Sequence, residues 1–194
     1  MQPQSPYTRA EILTALPQVE QEVASFFSSL SEEEFVLRLA EVWTPAEQLK
    51  HLNTAVSAVA RGFAFSPWVL RLRFGRAGSS SRSYEQVRET YRSLLAQGAG
   101  ATGEYVPPRE NPFTGEVAEY RIEILGRWGR VNARLRNALE RWSEADLDRV
   151  RLPHPILGKL TAREMLFFTL YHNEHHIGAA KRRLPRFSSP PPAA

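Results

Sequence analysis

The chain has 194 residues and no cysteine, enough for one hydrophobic core and exclusive of disulfides, zinc–thiolate sites and a thiol nucleophile of its own. Any metal must therefore be held by histidine and carboxylate. A formal charge of +4 and a pI near 9.7 admit a nucleic-acid partner, but the basic residues are interleaved with acidic ones along the chain, which argues against one.

Thr8 and Glu11 have capping-box spacing, and Ile12, Leu16, Val19, Val23, Phe26 and Leu30 follow at helical intervals, predicting a first amphipathic helix. Pro17 lies inside that run and is expected to kink the helix or restart it. Ser31 with Glu34 opens a shorter helix. In "TPAEQLKHLNTAVSAVARG", Thr44 is the N-cap, Pro45 takes the first helical position and Glu47 closes the box, predicting a helix over 45–61. Its core stripe is Leu49, Leu52, Val56, Val59 and Phe63, with His51 on the flank.

Residues 66–83 read as a loop with a short extended piece around Leu70 to Phe74. Ser83 and Gln86 cap a helix ending near Gly98, and 98–114 form a second long loop of the kind that borders binding sites. From Val117 to Trp142 apolar residues trace one face of a long helix, in which Gly126 and Gly129 suggest a close helix contact or a local weak point. "RLPHPILGKL" reads as a loop before Thr161 and Glu164 cap a last helix over 162–183 that Pro185 stops. The segment "MLFFTLY" within it is apolar nearly all round and belongs in the interior.

No repeat and no convincing strand set is visible, so the expected class is all-α with four principal helices. One domain is expected over 1–187, followed by a disordered proline-rich tail over 188–194. No segment is apolar enough to span a bilayer and the N-terminus lacks the pattern of a secretion signal, so no membrane partner and a cytoplasmic location are expected.

Three of the five histidines fall within "HNEHH" at 172–176. His172 and His176 are four apart on a helix, which places both imidazoles on one face within reach of a single ion. Spacing alone fits an exposed or hydrogen-bonded pair equally well. The pair continues the face of Met165, Phe168 and Thr169, however, and burying two imidazoles without partners is costly. His51 supplies a third ligand if its helix packs beside the last one; taken alone its spacing favours a boundary histidine bonded to a backbone carbonyl. Three neutral imidazoles with one open position make a site of the catalytic type.

His175 points about 100° from His176 and reads as an outer or surface residue. Glu47 could orient His51 or accept a proton, although its cap already explains it. His154, in the "HP" turn, is expected to stabilise a loop, and Glu174 to remain solvated.

The segments "VWTPAEQLKHL" at 42–52 and "HPILGKLTAREMLFFTLYHNEHHIG" at 154–178 resemble the DinB-like family, also called YfiT-like metal-dependent hydrolases. The shared pattern is a tryptophan before a helix cap, a histidine followed by leucine, and a late histidine pair after an "HP…G.LT" segment. The resemblance implies a four-helix bundle in up-down-down-up order, with His51, His172 and His176 as metal ligands. Zinc or nickel is the implied ion, and a homodimer the implied assembly. The family includes thiol-dependent transferases and isomerases beside hydrolases, implying a small-molecule substrate and a low-molecular-weight thiol as cosubstrate. Ala179 departs from the pattern, which often has glutamine there. That departure keeps open a non-enzymatic, metal-binding stress-response role.

Overall fold

The computed structural model describes residues 8–78, 80–109 and 114–184; the tail expected over 188–194 lies outside them. Helices dominate: α1 (Arg9–Ser28), α2 (Glu32–Val36), α3 (Pro45–Ala64), α4 (Pro67–Phe74), α5 (Tyr84–Ala96), α6 (Val117–Leu139), α7 (Glu144–Arg149) and α8 (Ala162–Arg183). The all-α class holds, with one small hairpin added. None of the described helices is long and apolar enough to cross a membrane.

All five expected capping boxes form, at Thr8, Ser31, Thr44, Ser83 and Thr161. At Thr44 the hydroxyl accepts from the Glu47 N–H at 3.1 Å, while Glu47 Oε2 accepts from the Thr44 N–H at 2.8 Å. Such a cap contributes about 0.5–2 kcal/mol and fixes where α3, and hence His51, begins. The first helix runs through Pro17 without restarting.

Each of the four longest helices packs on two others: α6 against α1 and α3, and α8 against the same pair. Their seams are filled by Phe27, Leu49, Leu52, Phe63, Trp128, Leu135 and Phe167, all fully buried. Two indoles also cross between elements, Trp128 donating to the Glu20 carbonyl of α1 at 3.0 Å and Trp142 to the Phe63 carbonyl of α3 at 2.9 Å. At Gly129 a Cβ would lie 3.9 Å from Glu20 on α1, an ordinary contact across the seam. At Gly126 the nearest neighbour is Arg130 of the same helix, so the expected close helix contact is absent there.

Two segments differ from expectation. Around Leu70 the chain forms helix α4, because Ser66 Oγ accepts from the Trp68 N–H at 3.3 Å and Pro67 occupies the first turn. The expected loop before Thr161 is an antiparallel hairpin, β1 (Arg151–His154) with β2 (Gly158–Thr161), pairing Leu152 with Leu160. Short helix α7 precedes it. Arg163 at the start of α8 is 2 % exposed and binds Asp148 at 2.7 Å and Glu144 at 2.8 Å, clamping α7 to α8. Glu164 accepts from Arg82 at 2.8 and 2.9 Å. These bonds fix the N-terminal end of the helix that carries the histidine pair.

Candidate metal centre

The capped α3 and the buried α8 lie side by side and bring His51, His172 and His176 together. One nitrogen from each lies within 4.8 Å of the others, and the ring centroids are 4.6–4.9 Å apart. His51 Nε2 is 3.0 Å from His172 Nε2. Two nitrogens on one tetrahedral zinc are ~3.3 Å apart, so the spacing is that of a group able to hold a divalent ion.

The outer hydrogen bonds agree with that fit. His51 Nδ1 is 2.7 Å from the Tyr105 carbonyl oxygen, which only accepts, so Nδ1 carries the proton and the Nε2 lone pair faces the group. His176 Nδ1 stands 3.4 Å from Gln48 Oε1 and is oriented in the same sense. The His51 lone pair meets His172 Nε2 at 3.0 Å, a place that either a proton from His172 or a shared cation fills. Trp43 lies parallel to His176 and against His51, and Phe168 stacks on His172. These rings exclude water and fix the imidazoles in rotation.

Burial keeps the imidazoles uncharged. His172 and His176 are held well below the usual 6.5, first by desolvation and then by the neighbouring histidines. His51 is lowered less, because its bond to the Tyr105 carbonyl opposes the effect of burial. Neutral imidazole is the ligand form, so the protonation state favours a metal.

The group lies in the wall of a cavity of about 400 Å³. Both regions expected to be loops border it, 66–83 through Leu70 and Phe74 and 98–114 through Gly100, Ala101 and Tyr105. No Asp, Glu, Lys or Arg lines the cavity among the described residues. His175 is outside the group of three but not remote: it joins the cavity wall and meets Tyr91 edge-on. Glu47 does not orient His51. Its carboxylate is buried and bound to Arg38 and the Thr44 N–H, and the carbonyl of Tyr105 does the orienting instead.

A sequence model of the DinB superfamily matches residues 15–180. The chain belongs to that superfamily. Comparison with curated proteins and with solved structures gave no significant match.

Within this DinB-superfamily chain, the amide beside the last histidine comes from Gln48 on α3, while Ala179 is buried. Gln48 was discoverable, since it sits three residues before His51 on the same helix face. Tyr105 was not, because it acts through its main chain. His154 stabilises its loop as expected, accepting from the N–H groups of Ile156 and Leu157.

The buried histidines set a pH dependence. Their folded pKa values lie below the ordinary 6.5, and that of His154 falls to about 4 through burial. As pH falls below about 6.5 the unfolded chain takes up protons that the folded chain refuses, so stability present above that pH is lost toward pH 4. Urea unfolding of chelator-treated protein is expected to show a lower midpoint at pH 5.5 than at pH 7.5. An unchanged midpoint would contradict the burial of neutral histidines.

Proposed function

We propose that His51, His172 and His176 hold one divalent transition ion, zinc or nickel, in a metal-dependent enzyme acting on a small apolar molecule. The observation that carries this reading is the convergence of three oriented imidazoles on the wall of a largely apolar cavity. A bound ion would supply one thing, a lowered pKa for a coordinated thiol or water. The chain's own residues do the rest. Tyr105 and Gln48 hold the ring protons at Nδ1 of His51 and His176, and Trp43 and Phe168 keep solvent away from the rings.

Of the two reactions, thiol transfer fits better than hydrolysis. Attack by water calls for a general base, and among the described residues no carboxylate lines the cavity; Glu47, the nearest in sequence, is occupied by Arg38 and Thr44. A preformed thiolate needs no such base. Because the chain lacks cysteine, the thiol is a separate small molecule.

The test is a paired assay of metal-loaded protein on a panel of apolar electrophiles and esters, with and without a low-molecular-weight thiol. Electrophiles are expected to be consumed only when metal and thiol are both present, with the protein's mass unchanged after turnover. Thiol-independent ester hydrolysis, lost in His172→Ala, would overturn the choice of thiol. Inactivity in both arms would favour a metal-binding protein without catalysis.

A further inference from the structure

Beside the group of three and His175, the wall of the cavity contains one more histidine, His154, whose role in the hairpin leaves half of its chemistry unused. His154 Nδ1 accepts two main-chain hydrogen bonds, from Ile156 N–H at 3.1 Å and Leu157 N–H at 3.0 Å. A nitrogen that accepts cannot also carry the proton, so the neutral ring is fixed as the Nε2–H tautomer. Among the described residues no hydrogen bond involves that Nε2–H, which is half-buried with its ring and free to meet a ligand. The ring itself is part of the cavity wall, edge-on to Phe168 at 4.2 Å, and Phe168 in turn stacks on His172 at 4.9 Å. One phenyl ring therefore separates this donor from the three-histidine group.

We propose that His154 is a substrate-positioning residue whose Nε2–H binds a neutral acceptor oxygen, such as a ketone or ester carbonyl, of an apolar substrate in the cavity. This rests on the reading that the cavity is the substrate site. The oxygen is neutral because, among the described residues, no cationic side chain lines the wall to pair with an anion. Tyr91 and Tyr105 also line the cavity, but their hydroxyls turn to donate or accept. The sense of His154 is fixed by the turn beneath it, so it selects an acceptor. Its distance from the metal group sets the substrate class: an electrophile whose acceptor lies about one ring's breadth from the reacting atom.

Two variants separate the turn from the donor. In His154→Asn the amide oxygen replaces Nδ1 as acceptor for the turn, as asparagine does in Asx-turns, and nothing replaces Nε2. In His154→Gln an amide reaches the Nε2 position while the turn loses its acceptor. Binding of acetophenone and of its hydrocarbon isostere α-methylstyrene is measured on each zinc-treated full-length protein, without thiol. Nitrogen-15 spectra of the wild-type histidines are recorded alongside.

The wild-type spectrum is expected to show His154 protonated at Nε2, with that proton moving downfield on addition of acetophenone and not of α-methylstyrene. The ratio of ketone to hydrocarbon affinity is expected to fall roughly 3–10-fold in His154→Asn, the loss of one hydrogen bond, and to be largely retained in His154→Gln. An unchanged ratio in His154→Asn, protonation at Nδ1, or a ketone that leaves the Nε2 proton unmoved would each overturn the proposal. Neither probe requires turnover, and the zinc content of the same samples is measured separately. Failure of the metal reading is thereby distinguished from failure of the donor.

Discussion

His172→Ala is expected to lower affinity for zinc or nickel by more than the ~10–100-fold that loss of an outer hydrogen bond produces. The reason is geometric. His172 is 4 % exposed and its Nε2 is 3.0 Å from that of His51, so its removal leaves two imidazoles and a void where the ligand stood. His175→Ala removes a ring from the cavity wall outside the group of three and is expected to leave stoichiometry at one ion per chain. Gln48→Ala, which removes the partner of His176 Nδ1, should fall between them. Competition with a chromogenic chelator measures all three, and melting of the metal-free variants separates loss of a ligand from loss of the fold. Equal losses in His172→Ala and His175→Ala would show that the ligand set is wrong.

Trp128→Ala is expected to destabilise the chain by about 3–5 kcal/mol, the cost of emptying a large aromatic site that collapses only partly. Trp128 is 1 % exposed on α6, and its indole N–H closes the seam with α1 through the Glu20 carbonyl. Trp68 on α4 is the control: at 65 % exposure its replacement by alanine is expected to change stability by no more than about 0.5 kcal/mol. Urea unfolding at pH 7.5 measures both. Similar values for the two tryptophans would contradict the placement of the α1–α6 seam.

The parts of this fold that could be read in sequence are those whose cause is local. Thr44, Pro45 and Glu47 announce α3 because the cap is made within four residues of chain. Helix α4 was hidden because only Leu70 of its eight residues is buried, leaving no helical stripe to detect. The hairpin was hidden by Pro153 and Pro155, which argue against strands, and by the brevity of its four-residue arms.

The same division runs through the site. The spacing of His172 and His176 and the apolar face leading to them were legible, and so was His51 once α3 was set beside α8. The 100° between His175 and His176 kept His175 out of the group. It did not disclose that Tyr91, from α5, brings His175 into the cavity wall. That contact, like the Tyr105 carbonyl at His51, exists only through tertiary packing.

X-ray absorption at the metal edge of the zinc- or nickel-loaded protein tests the three-histidine centre most directly. For zinc the expected first shell is three imidazole nitrogens at ~2.0–2.1 Å with one further light atom, and the imidazole outer-shell scattering should drop by about one third in His176→Ala. A shell dominated by carboxylate oxygen, or one unchanged in His176→Ala, would contradict it.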